Sequence, residues 1–138
     1  QIPEQPDTLA RMEGKRILLA EDNDLNAEIA IELLAEQKII ADRAIDGADC
    51  LDKLEKAVAG YYDMILMDIQ MPVMDGYDAA ARIRRMKDEK KASIPIVAMT
   101  ANAFAEDRQK AISMGMNDHV AKPIDMNVLL PVMAKYIR

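Results

Sequence analysis

Five short apolar runs punctuate the chain, and nearly every one gives way to a segment with helical spacing. The runs are RILLA (Arg16 to Ala20), KIIADR (Lys38 to Arg43), YDMILMD (Tyr62 to Asp68), IPIVAMT (Ile94 to Thr100) and DHVA (Asp118 to Ala121). Continuous Ile, Leu, Val and Met, rather than strict alternation with polar residues, describes strands buried on both faces. Leu25, Ile29 and Leu33 recur every four residues in the first intervening segment, which Asn23 or Asp24 is placed to cap. A second helix runs from Gly47 through Leu51, Leu54 and Ala57 and closes at Gly60. A third covers Tyr77 to Met86, a fourth starts at Phe104 and ends before Gly115, and a fifth carries Val128, Leu129, Val132 and Met133. Five strands alternating with five helices predict an α/β domain, a doubly wound parallel sheet covered on both faces.

The 138 residues suffice for one domain with a sizeable core, and an apolar content of 51% argues against disorder. Residues 1–14, with two prolines and mixed charge, read as a linker or tail before a domain over 15–138; the first residue, Gln1, points to processing or excision from something longer. A single cysteine, Cys50, excludes an internal disulfide framework, and a single histidine, His119, excludes a histidine cluster for zinc. The net charge of -6 disfavours non-specific nucleic-acid binding, and no basic face is evident in the pattern. No run reaches the roughly 20 apolar residues of a membrane span, and no signal peptide is present.

In a parallel α/β sheet the functional crevice lies beyond the carboxyl ends of the strands. Glu21 and Asp22 follow the first strand, Asp68 ends the third, Thr100 ends the fourth and Lys122 follows the fifth. Taken singly, most have an ordinary reading: acids favouring a helix N-terminus, a threonine cap, a lysine in a solvated turn. Asp68 is harder to dismiss, because the apolar run MILM leads directly into it. Together the residues place three carboxylates, a hydroxyl and an ammonium at one edge. Three close carboxylates repel one another and need a cation to stay charged; hard oxygen donors suit Mg²⁺. A lysine and a threonine beside them suit a further anionic group. The set is built to hold a phosphoryl group on a carboxylate, with Asp68 attacking phosphorus in line while Mg²⁺ and Lys122 offset charge on the equatorial oxygens.

The motifs LLAEDN (Leu18 to Asn23), MDIQMPVMDG (Met67 to Gly76), AMTA (Ala98 to Ala101) and AKPID (Ala121 to Asp125) resemble those of receiver domains in the response-regulator family of two-component and phosphorelay signalling. The resemblance covers about Lys15 to Arg138 and implies a flavodoxin-like (βα)5 topology with strand order 2-1-3-4-5. It implies Asp68 as phosphoacceptor, Asp22 and Asp68 as direct Mg²⁺ ligands, Glu21 as a ligand through water, and the backbone carbonyl of Gln70 as a further ligand. Thr100 resembles the switch hydroxyl, and Lys122 the lysine that pairs with the phosphoryl group before a proline, Pro123, whose bond is often cis. His119 stands where many members carry a switch tyrosine or phenylalanine. The implied partner is a histidine kinase domain or a histidine phosphotransfer domain, met through the first helix with Leu25 as a contact. The isolated domain is expected to be a monomer without nucleic-acid or membrane contact. It is expected to catalyse its own phosphorylation and a slow dephosphorylation, as a cytoplasmic part of a hybrid sensor histidine kinase anchored in the inner membrane. A free-standing single-domain regulator is the alternative; a receiver-like module without phosphorylation is disfavoured by the intact site residues. A haloacid-dehalogenase-like hydrolase would want an acid where Gln70 stands, and an acidic turn after the first strand would repel a flavin phosphate.

Overall fold

In the computed structural model, residues 10–101 and 105–137 are described, without the side chains of 105–107. Five parallel strands pair in the order β2-β1-β3-β4-β5: β1 (Arg16–Ala20), β2 (Ile40–Ala44), β3 (Met64–Asp68), β4 (Ile96–Thr100) and β5 (Asp118–Ala121). Helices follow as α1 (Asp24–Glu36), α2 (Gly47–Lys56), α3 (Gly76–Ile83), α4 (Glu89–Ala92), α5 (Ala105–Ser113) and α6 (Met126–Tyr136).

The uninterrupted apolar strands have a direct cause. Successive residues point to opposite faces, and both faces are packed. Ile17, Leu19, Met64, Leu66, Val97 and Met99 join one core, with α1 and α6 residues such as Leu34, Leu129 and Met133. Leu18, Ala20, Ile65, Met67, Ile96 and Ala98 join the other, with Cys50 and Leu54 of α2 and Ala79, Ala80 and Ile83 of α3. Fully burying each large side chain contributes about 1.5–3 kcal/mol, so a polar residue inside these strands would be costly. The strands admit polar side chains at their carboxyl ends.

Several boundaries differ from the sequence reading. β2 starts at Ile40 rather than Lys38, because Lys38 takes a left-handed conformation (φ 61) where the chain leaves α1. β3 and β4 begin two residues later than the apolar runs suggest, and α2 ends at Lys56, with Gly60 in the turn beyond. α3 stops at Ile83 instead of Met86: Arg84 caps it with a still-helical backbone, the Arg85 and Met86 amides donate three residues back to Arg82 and Ile83, and the Arg84 guanidinium bonds carbonyls of the next connection. There α4 appears as an additional helix; its sequence EKKA has no buried residue and hence no apolar periodicity to reveal it. The expected start of α5 at Phe104 lies outside the described residues. Upstream of β1, residues 10–12 are helical, Met12 is fully buried in the α1/α6 core, and the Arg11 guanidinium donates to the Ile137 and Ala134 carbonyls. Packing therefore reaches into the segment read as a tail.

The region 82–91 is rich in charge. It holds Arg82, Arg84, Arg85, Lys87, Lys90 and Lys91, six of the chain's 18 basic residues. Arg82, Arg85, Lys87 and Lys90 are exposed, interleaved with the exposed acids Asp88 and Glu89.

Candidate functional site

The strand register carries the site residues to one edge. Ala20 pairs with Met67, Asp68 with Met99, and Thr100 with Ala121, so Glu21, Asp68, Thr100 and Lys122 follow or end strands that finish nearly level. The ladder continues into the site, with the Ile69 amide donating to the Met99 carbonyl (3.2 Å) and the Lys122 amide to the Thr100 carbonyl (2.8 Å). Gly76 starts α3 tight against this edge. A Cβ there would lie 2.5 Å from the Asp68 carbonyl oxygen, so only glycine allows the helix to begin there without displacing the strand end.

One carboxylate oxygen from each of Glu21, Asp22 and Asp68 falls within 4.8 Å of the others. Glu21 and Asp68 are buried, while Asp22 is exposed. The Lys122 ammonium lies 3.0 Å from Asp68 Oδ2 and 3.4 Å from Glu21 Oε1. The Gln70 amide donates to Asp68 Oδ1 (3.1 Å) and the Asn23 amide to Glu21 Oε2 (3.2 Å). Burial raises the Glu21 pKa above its ordinary value, and the neighbouring Asp68 charge adds to this against the Asn23 amide and Lys122. Burial alone would lower the Lys122 pKa; the hydrogen bond and charge of Asp68, then those of Glu21, outweigh it and the pKa rises. Lys122 thus stays an ammonium shared by two buried carboxylates, and the donor set still favours a further cation. Three hard oxygen donors of this spacing fit a divalent ion such as Mg²⁺.

Thr100 is buried at the same edge. The Lys122–Pro123 peptide is cis. Gln70 meets Asp68 through its amide, and its side chain is exposed. His119 stands apart from the acid cluster. It pairs with Ala98 in the sheet, two residues before the Thr100–Ala121 pair and so on the same face, and its buried Nδ1 has no hydrogen-bond partner among the described residues. An Asp118 carboxylate oxygen is 3.9 Å away.

Sequence reading missed Arg43. From β2 its guanidinium donates to the Glu21 carbonyl (3.0 Å), the Asp22 carbonyl (3.1 Å) and Asp24 Oδ1 (2.7 Å). It clamps the backbone that aims the two acids. No motif marks it; the available signal was a cation in a strand beside an acidic turn. Asn23, one of the two candidate caps, is the cap of α1, accepting from the Asn26 amide at 2.9 Å. Between α1 and the β5–α6 connection lies a cavity of about 290 Å³ lined by Glu21, Asn26, Ile29, Ala30 and Lys122 among others. Leu25 and Ile29 on α1 are exposed beside it.

A doubly wound domain whose strand ends gather three carboxylates around a lysine defines a class of acid-edged α/β modules. Within it, this chain belongs to the response regulator receiver domain family, whose model matches residues 17–134. It is 40% identical over 130 residues to hybrid signal transduction histidine kinase B of Dictyostelium discoideum, covering 88% of this chain and 6% of the relative. The chain spans only 4–8% of the first four such relatives. Among solved structures it resembles the receiver domain of the sensor histidine kinase PA1611 from Pseudomonas aeruginosa, crystallised with magnesium in its active-site cleft. That match has 35% identity and a TM-score of 0.78 over 89% of this chain and 97% of the other. It also resembles the Ssk1 receiver domain of Saccharomyces cerevisiae, solved with the histidine phosphotransfer protein Ypd1. There identity is 28% and the TM-score 0.78, over 91% of this chain and 90% of the matched chain. The strand order inferred from the family resemblance is the one observed. No described helix is long and apolar enough to cross a membrane.

Proposed function

We propose that this domain accepts a phosphoryl group on Asp68 from a phosphohistidine, as one station of a phosphorelay. The observation that carries this reading is the meeting of Glu21, Asp22 and Asp68 within 4.8 Å, with Lys122 at 3.0 Å from Asp68. Asp22 and Asp68 would hold Mg²⁺ directly, the Gln70 carbonyl would add a ligand, and Glu21 would act through water. The ion, when bound, supplies positive charge that lets the carboxylates ionise together and offsets charge on a phosphoryl group. An Asp68 carboxylate oxygen forms the new O–P bond as the P–N bond to the donor imidazole breaks; the electron pair returns to that imidazole, which takes up a proton. Lys122 balances charge on the transferred group, and the Gln70 amide and strand ladder keep the nucleophile fixed. The Thr100 hydroxyl then turns to the phosphoryl group, and His119, on the same face of the sheet, responds. Water attacking the acyl phosphate returns the domain slowly to its starting state.

The kinship with hybrid histidine kinases supports a hybrid kinase as the parent protein. In that setting the partner is a histidine kinase domain or a histidine phosphotransfer domain, which docks on α1 beside Leu25. The domain works on the cytoplasmic side of an inner-membrane parent, is a monomer when isolated and binds neither nucleic acid nor membrane. Acetyl phosphate with Mg²⁺ should add one phosphoryl group, about 80 Da. Intact mass and mapping after reductive trapping should place it on Asp68. The Asp68→Asn chain should stay folded and unlabelled; equal labelling of that variant, or a label on another residue, sinks the assignment.

A further inference from the structure

Arg43 is placed where the helix beside it does not want a cation. It lies on the edge strand β2, paired with Leu19, and so points to the α1 side of the sheet. All three of its guanidinium nitrogens are engaged there: Nε donates to the Glu21 carbonyl, Nη2 to the Asp22 carbonyl and Nη1 to Asp24 Oδ1. Helix α1 begins at Asp24, and its N-terminus is the positive end of the helix dipole, which disfavours a guanidinium. The side chain is 23% exposed, so the core does not require it either. Its bonds converge instead on the turn between β1 and α1.

That turn carries an acid with no support of its own. The Glu21 carboxylate is held by the Asn23 amide and Lys122, and the Asp68 carboxylate by the Gln70 amide and Lys122. Asp22 is exposed, and among the described residues its carboxylate has neither a hydrogen bond nor an ion pair. It is aimed through its backbone alone. The Asp22 carbonyl accepts from Arg43, and one residue upstream the Glu21 amide donates to the Ala44 carbonyl (3.0 Å) while the Glu21 carbonyl accepts from Arg43. Strand β2 thus grips residue 21 from both sides and residue 22 from one, and two of these three bonds belong to Arg43.

We infer that Arg43 is a positioning residue that sets which divalent cation the acid cluster prefers. Mg²⁺ demands close, regular octahedral ligands, whereas Ca²⁺ accepts longer and more variable ones. A carboxylate presented from a fixed turn suits the smaller ion; on a loose turn the smaller ion loses more. Arg43 also brings a positive charge beside the cluster, and that charge repels any cation. Its geometry and its charge therefore act on Mg²⁺ affinity in opposite directions. Repulsion acts alike on two divalent ions, so the ratio of Mg²⁺ to Ca²⁺ affinity isolates the geometry. The inference rests on Asp22 and Asp68 holding the ion.

The test titrates the unchanged chain, Arg43→Met and Arg43→Lys with each metal alone, by calorimetry below their melting temperatures. Arg43→Met removes the donors and the charge. Arg43→Lys keeps the charge, but its ammonium is a point donor that cannot span the three acceptors. The ratio of Mg²⁺ to Ca²⁺ affinity should fall about fivefold in both variants. A merely structural role would lower the melting temperature and leave the ratio as it was. An unchanged ratio in the folded variants overturns the inference, and so does a ratio that falls in Arg43→Met but holds in Arg43→Lys. If Arg43→Met does not fold, Arg43→Lys alone decides. Asp22→Asn, titrated alongside, tests the metal assignment separately. Equal Mg²⁺ affinity in that variant, or an unchanged chain that binds neither ion, overturns the assignment and the inference with it.

Discussion

At the carboxyl edge of the sheet, Glu21 and Asp68 are buried against one shared ammonium, Lys122. At the amino edge, the Arg84 guanidinium donates to the carbonyls of Gly115, Ala92 and Ile94 at 2.7 Å each and to Asn117 Oδ1 at 2.8 Å. Asn117 Oδ1 also accepts from the Ile96 amide, tying the starts of β4 and β5 to the end of α3. Arg84 is one cation surrounded by neutral acceptors, each with a partner. The acid edge is two buried carboxylates and an exposed third with one cation between them. Satisfied polar groups stabilise a fold; an excess of like charge costs stability and is kept where a ligand can complete it. The amino edge closes the structure, and the carboxyl edge leaves charge for a ligand to complete.

The largest test of this contrast removes the arginine. Arg84→Met strands several carbonyl acceptors and should lose about 3 kcal/mol, lowering the melting temperature by about 10 °C. Below that temperature its labelling by acetyl phosphate should match the original. Denaturant melts and intact mass read the two quantities, and a folded variant that cannot be labelled would erase the division of labour. A smaller effect follows from Asp22→Asn, which removes one carboxylate charge from the exposed side of the cluster. Mg²⁺ affinity should fall about tenfold, near 1.4 kcal/mol, while the metal-free melting temperature holds or rises slightly. Calorimetric titration giving the same affinity for both proteins would remove Asp22 from the ligand set.

The smallest effect concerns an ordinary structural carboxylate. Burial alone would raise the Asp49 pKa, but the Ile45 amide at 2.9 Å and the Lys53 ammonium at 3.0 Å outweigh it, and the pKa lies below its usual 3.8. A depressed carboxylate contributes stability that is present above its unfolded pKa and lost as pH falls through the folded value. Asp49→Asn should therefore be less stable at pH 7 by under about 1 kcal/mol. The gap should close as pH falls below 3.8. A gap that widens in acid would reverse the assignment.

How much of this could be read from the sequence depended on burial. β1, β3 and β4 stood out because both faces are packed, and Asp68 stood out because a charge after MILM is expensive. The meeting of Glu21, Asp22, Asp68 and Lys122 followed from parallel strands ending level. β2 was placed two residues early because Ala44 alone in it is fully buried, so its pattern is weak. α4 was invisible because it has no core face. Arg43 and Arg84 act through backbone carbonyls, which every residue possesses, so no residue type in the sequence announces their partners.

The level finish of the strands has a consequence for how the protein can be watched. The acids, hydroxyl and lysine come from the ends of β1, β3, β4 and β5, spread over residues 21 to 122. A slip of one residue in any pairing would turn that strand's faces inside out and carry its contribution away from the rest. No contiguous fragment holds the whole set. Competence for labelling is consequently a reporter of assembly: in a refolding experiment, the first moment at which Asp68 takes a phosphoryl group would mark the arrival of the last of the four strands in register.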